Sequence, residues 1–144
     1  MEHKLGTIKV EAEIQGQPEN EITCLRDVQE KYSELGQEQK EHLYAVFLTN
    51  DNQFIGDKII GLGSRDTVGV DIQDVVRTAA ITNAGAVILV HNHPSGKAGA
   101  TEKDVEVTQE AKQVLEKINV ELLDHVIISR DENYSMRQAN DGPF

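Results

Sequence analysis

Two histidines and an aspartate carry the chemistry that stands out in this sequence. His91-Asn92-His93-Pro94-Ser95-Gly96 is followed by Thr101, eight residues beyond His93, and by Asp104, eleven beyond it. In an extended backbone residues i and i+2 point to the same side, so His91 and His93 can present both imidazoles to one point. Pro94 favours this, because its ring disfavours the helical region for the residue before it. Asp104, in the first turn of a following helix, is placed to swing a carboxylate oxygen toward the same point and complete a three-ligand set. Catalytic zinc sites typically use three protein ligands and leave a fourth position for water. The pKa of that water falls from ~15.7 to about 7 in favourable sites. A base must still take and return protons. Glu41, just before an apolar run, is one candidate, and spacing alone does not single it out from the other acids.

Blander explanations compete with the metal. His-Asn-His-Pro also fits a turn with two solvated histidines, since short motifs match by chance. Thr101-Glu-Lys-Asp104 also reads as a capping box, which explains Asp104 without any ion. Position favours the ligand set, because residues leaving the end of a buried strand in an α/β sheet sit where ligands bind. The remaining candidates are weaker. His125, inside Leu122–Ile128, reads as a half-buried strand histidine bonded to a neighbour. His42 alternates away from Glu41 if both are in a strand, His3 is near the terminus, and Cys24 reads as a buried helix residue. The chain has no His-Glu-x-x-His, no Pro-Cys-x-x-Cys, no Gly-x-x-x-x-Gly-Lys-Ser/Thr loop and no Gly-x-Ser-x-Gly context for Ser95.

The elements that must position these residues follow from periodicity. Ile8, Val10, Ala12 and Ile14 alternate with polar residues as in a half-wet strand, ended by a Gly16-Gln17-Pro18 turn. Leu25, Val28, Tyr32 and Leu35 recur at helical spacing over about three turns, with Thr23 as a cap and Gly36 as a stop. Leu43–Leu48 suits a strand covered on both faces, and Asn50-Asp51-Asn52 turns it back into a partner from Phe54 to Leu62. Asp71 caps a helix that buries Ile72, Val75, Val76, Ala79 and Ala80 and stops at Asn83-Ala84-Gly85. Ala86–Val90 reads as a central strand, and His91–Ala100 as loop. A helix from Thr101 carries a stripe of Val105, Thr108, Lys112, Leu115 and Ile118. Leu122–Ser129 forms another strand, and Asp131-Glu-Asn133 turns into a last one. Alternating helices and strands imply an α/β fold, a mixed sheet with helices packed on its faces.

At 144 residues the chain fits one globular domain, read as residues 1–144. No apolar run approaches the roughly 20 residues of a membrane span, and no secretory signal opens the chain, so a cytoplasmic location is expected. The single cysteine, Cys24, excludes an internal disulfide and a multi-thiolate site, leaving nitrogen and oxygen as ligands. The net charge of −11 makes unaided nucleic-acid binding a poor expectation, because such binding draws on Lys and Arg to neutralise phosphates.

Taken together, Gln39-Lys40-Glu41-His42, Ala86–Gly96 with its His-Asn-His-Pro, Thr101, Asp104 and Leu122-Leu-Asp-His-Val-Ile-Ile128 resemble the RadC family of the JAB/MPN superfamily. That family shares the JAMM pattern Glu…His-x-His-Pro…Ser-x-x-Asp, and the likeness runs from about residue 20 to 138. The resemblance implies a cytidine-deaminase-like JAB/MPN fold and one Zn2+ per chain on His91, His93 and Asp104. It further implies Glu41 as general acid/base in hydrolysis of a peptide or isopeptide bond, with a peptide or protein as substrate. The serine of the pattern, thought to stabilise the oxyanion, is Thr101 here, which keeps the hydroxyl and adds a methyl. Longer family members resemble a fusion to an upstream helix-hairpin-helix region and carry a DNA-repair label. The stretch before Glu41 is too short for that region, so none is expected here. A homodimer is an admissible assembly. The leading expectation is a zinc-dependent metallopeptidase, and the alternatives are a non-catalytic metal-binding interaction module and a DNA-repair-associated factor.

Overall fold

The computed structural model describes residues 6–15, 24–64 and 67–144. Strands β1 (Glu41–Leu48), β2 (Phe54–Ser64), β3 (Thr67–Val70), β4 (Ala86–Asn92), β5 (Glu121–Ile128) and β6 (Asn133–Ser135) form one sheet in the order β3-β2-β1-β4-β5-β6. Every neighbouring pair is antiparallel except β4 and β5, which are parallel. A parallel pair needs a crossover. Here helix α3 (Glu102–Glu116) provides it, while α1 (Leu25–Lys31) precedes the sheet and α2 (Ile72–Ile81) links β3 to β4. The fold is the α/β mixed sheet expected. No described helix is long and apolar enough to cross a membrane.

The two central strands read as continuous apolar runs because both of their faces are covered. Leu43, Ala45, Phe47, Val87 and Leu89 point to one side and pack with Val75 and Ala79 of α2 and Ala111 and Leu115 of α3. Val46, Leu48, Ile88 and Val90 point to the other and pack with Val28, Tyr32 and Leu35. His91 continues the odd-numbered side of β4, so it faces the α2/α3 layer.

The expected hairpin is present. Asn52 takes φ 61° between β1 and β2, and the Thr49 N–H donates to the Gln53 carbonyl at 2.9 Å. Asp71 caps α2 by accepting from the Asp74 N–H at 3.0 Å. Asn83 (φ 54°) closes the turn after it.

Several expectations are corrected. Residues 6–15 form no strand, and Ile8 and Val10 are 90% and 63% exposed: alternation alone makes no strand without hydrogen-bonded pairing and burial of one face. Helix α1 is shorter than three turns, and a 3-10 turn (Ser33–Gln37) carries Leu35 into the core instead. Gly36 lies within that turn, where an added Cβ would come 2.7 Å from the Ser129 carbonyl oxygen, so close approach explains the glycine. Cys24 is exposed at the N-cap of α1, not buried. Strand β3 was not anticipated. His91 and Asn92 belong to β4 and not to the loop. Helix α3 ends at Glu116, leaving Ile118 beyond it and 38% exposed, with Ala111 on the core face in place of Lys112. His3, the Gly16-Gln17-Pro18 turn and the Thr23 cap lie outside the described residues.

Candidate metal centre

Strand β4 delivers the histidines. His91 pairs with Leu43 of β1 and Ile127 of β5 and is 5% exposed. His93 follows the strand, its N–H donating to the Ile128 carbonyl at 3.0 Å, which keeps it extended and on the same side as His91. The chain then turns sharply through Gly96 (φ 85°), whose N–H donates to the His93 carbonyl at 3.1 Å. A positive φ of this kind suits glycine. The turn brings the Lys97 carbonyl to 2.8 Å from His93 Nδ1. A carbonyl only accepts, so Nδ1 carries the proton and the neutral ring offers its Nε2 lone pair.

Helix α3 delivers the carboxylate. Thr101 is its N-cap, with Oγ1 accepting from the Asp104 N–H at 3.2 Å, while Asp104 Oδ2 accepts from the Thr101 N–H at 2.8 Å. The expected capping box is therefore real, yet it does not compete with the ligand role. The same Oδ2 lies 3.2 Å from His93 Nε2, and Oδ1 lies 3.3 Å from His91 Nε2. The two Nε2 atoms are 2.8 Å apart. One ligand atom from each of His91, His93 and Asp104 falls within 4.8 Å of the others.

This donor set fits a metal ion. Two buried imidazole nitrogens and a carboxylate converge on one point, where shared protons or a bound cation satisfy them. Ligand atoms around a tetrahedral zinc with bonds near 2.0 Å stand roughly 3.3 Å apart, so the observed spacings need to open by about 0.5 Å at most. The electrostatics agree. Burial alone would raise Asp104, but bonds to His91 and His93 outweigh it and hold the carboxyl well below the usual carboxylate range. Burial alone would lower His93, but its bonds to Asp104 and the Lys97 carbonyl outweigh it and raise the imidazole above its ordinary value.

Glu41 and Thr101 line the same cavity of about 290 Å³ as the three ligand residues. Glu41 shares the face of Leu43 on β1, and extending the Leu43–His91 register by two residues sets it opposite His93. Burial raises its carboxyl above the ordinary value, against the opposing pull of His91 and His93. His42 turns to the other face, as alternation required, and stacks on Tyr44 with centroids 6.5 Å apart. A second cavity, of about 310 Å³, touches Cys24, Leu25, Ile88 and Asp124. Its carboxylate is already bonded to the Ser135 hydroxyl and to the His125 and Arg137 N–H groups, which leaves no cluster of free ligands there.

Two neighbours have ties to the site beyond the sequence reading, which has His125 as a half-buried strand histidine bonded to a neighbour. His125 is fully buried (1% exposed), and its Nε2 lies 2.6 Å from His91 Nδ1. Alternation would put it on the face opposite Leu122. A bulge between Leu122 and Asp124 in the β4–β5 ladder inserts a residue and turns His125 toward α3. A histidine beside Asp124 in a mostly apolar strand was the available signal. Asn92 points away from the ligands, accepting from the His42 N–H at 2.7 Å and donating to the Lys40 carbonyl at 2.8 Å. It thus grips the backbone on both sides of Glu41.

The family model for the RadC-like JAB domain matches residues 22–141. A UPF0758 protein of Chlorobium chlorochromatii is 38% identical over 101 residues, which cover 70% of this chain and 46% of that protein. One from Streptococcus suis is 35% identical over 108 residues, 75% of this chain and 44% of the relative. Another, from Coprothermobacter proteolyticus, is 36% identical over 104 residues, 72% and 44% respectively. The matched part of the chain spans less than half the length of each of these relatives.

Proposed function

The chain belongs to the RadC-like JAB domain family, and from that premise we propose that it is a zinc-dependent hydrolase acting on a peptide or isopeptide carbonyl. The observation that carries this is the convergence of His91 Nε2, His93 Nε2 and an Asp104 carboxylate oxygen beside Glu41 in one cavity. His91, His93 and Asp104 would hold the ion. Zinc supplies a Lewis acid there, polarising the carbonyl and making water acidic enough to attack near neutral pH.

The chain's own groups do the rest. Glu41, with its carboxyl raised by burial, accepts a proton from the attacking water and returns it to the departing amine nitrogen. Thr101 Oγ1 accepts from the Asp104 N–H and keeps its own proton to donate to the developing oxyanion. The Lys97 carbonyl holds the His93 ring, and Asn92 holds the Glu41 backbone, so little reorganisation remains at the moment of reaction. A reducing cytoplasm fits the exposed, unpaired Cys24.

Elemental analysis tests the metal. About one zinc per chain is expected in the wild type, and Asp104→Asn should lose more than about 100-fold in affinity, beyond the range typical of outer-shell changes. Circular dichroism should show α3 intact in that variant, because the amide oxygen can still accept from the Thr101 N–H. Glu41→Gln should keep the zinc and lose about 10²–10⁴ in hydrolysis of peptide and isopeptide substrates. Zinc without turnover on any such substrate would favour a metal-binding interaction module. No zinc, even when offered, would sink the hydrolase.

A further inference from the structure

A chain of hydrogen bonds leaves the candidate centre and returns to it. His91 Nδ1 lies 2.6 Å from His125 Nε2, and His125 Nδ1 lies 2.6 Å from Thr108 Oγ1. Thr108 Oγ1 in turn lies 2.5 Å from the main-chain carbonyl oxygen of Asp104. Its one other neighbour, Met136 Sδ at 3.6 Å, is a weak acceptor at long range. His125 and Thr108 are buried, 1% and 0% exposed, while His91 reaches the cavity at 5%.

The chain has only one workable direction. The carbonyl at its end can only accept, so the single hydroxyl proton of Thr108 must point at it. Thr108 Oγ1 must then accept from His125 Nδ1–H, which leaves a lone pair on His125 Nε2. That atom accepts from His91 Nδ1–H, and the lone pair of His91 is left on Nε2, facing His93 and Asp104. Reversing the direction would aim the hydroxyl proton at His125 and set two oxygens 2.5 Å apart with no proton between them.

We propose that His125 and Thr108 are positioning residues: a closed ring from the Asp104 carbonyl through Thr108 and His125 fixes the tautomer and tilt of His91 for the ion that Asp104 also ligates. The helix that supplies the carboxylate thus also sets which nitrogen of His91 is free, before any ion arrives. Outer-shell partners of this kind change metal affinity by about 10–100-fold when removed. The proposal rests on the metal-site reading above but not on hydrolysis.

The test is a long-range 1H–15N correlation of the imidazoles in the zinc-loaded protein, joined to zinc affinity by competition with a chromophoric chelator. His125 should carry its proton on Nδ1. Thr108→Val, which removes the acceptor at near-constant volume, should weaken zinc about 10-fold or more, and Thr108→Ser should restore it. His125→Gln, which keeps an acceptor near the Nε2 position, should bind more tightly than His125→Leu, with folding checked by circular dichroism. His125 protonated on Nε2, or unchanged affinity in a folded Thr108→Val protein, would overturn the ring while leaving the metal site standing. A wild type that binds no zinc would bring down the metal reading and the ring together.

Discussion

At the scale of single residues, burial decides which groups carry charge. Burial, and then the neighbouring His91, hold His125 well below the ordinary imidazole value, so it is neutral in the fold. In the unfolded chain a histidine ionises near pH 6.5. A folded-state pKa that is depressed means that the unfolded state binds the extra proton, so stability should fall as pH drops below about 6.5, by on the order of 1 kcal/mol per pH unit. His93 and Glu41 are raised and act in the opposite sense, gaining stability as pH falls through their folded values. Asp104 is depressed, and its contribution starts to fade only near the ordinary carboxylate value of about 3.9. Urea midpoints of chelator-treated protein at pH 7 and pH 5, wild type beside His125→Gln, isolate the His125 effect. The wild type should lose more than the variant over that interval, and equal losses would contradict a neutral buried His125.

At the scale of elements, the start of α3 combines a cap with a candidate ligand. Thr101→Ala removes the acceptor for the Asp104 N–H and should cost about 1 kcal/mol in thermal or urea unfolding. Thr101→Ser should cost little. If Thr101→Ala also weakens zinc, the cap is what holds Asp104 in place; a stability loss with unchanged affinity would show that the ligands alone do so. The same element shows what was legible in the sequence. The capping box and the i, i+2 histidines depend on spacing along the chain, and both could be read, as could the doubly buried β1 and β4 from their unbroken apolar runs. What depends on partners could not. The alternation of Ile8–Ile14 is not taken up into the sheet even though Ile14 lies near Gly56 of β2, and the four residues of β3 form a strand only because β2 offers an edge. His125 reaches His91 only through a bulge, a feature of pairing between two strands that neither strand records alone.

At the scale of the whole molecule, charge limits the partners. With 25 acidic against 14 basic residues, the surface repels polyanions. Fluorescence anisotropy of a labelled DNA duplex should therefore show no saturable binding at about 0.15 M salt, where the screening length is still near 8 Å. Tight binding that weakens steeply with salt would show a local basic patch overriding the average, and would revive the DNA-repair alternative. The part of the chain matched to the three relatives spans less than half of their length, so the substrates and partners of the longer proteins are a separate matter.

The grip of Asn92 on both sides of Glu41 has a consequence for how the site can change. Three consecutive residues address both faces of one sheet: the outer two aim at the candidate metal point, and the middle one anchors the strand that carries Glu41. The phase of a strand repeats every second residue. An insertion or deletion of one residue in β4 would therefore turn an amide toward the ligand point, send an imidazole into the opposite layer and release Glu41, all in one step. The histidine pair and Glu41 are tied to one register, and neither can drift without the other.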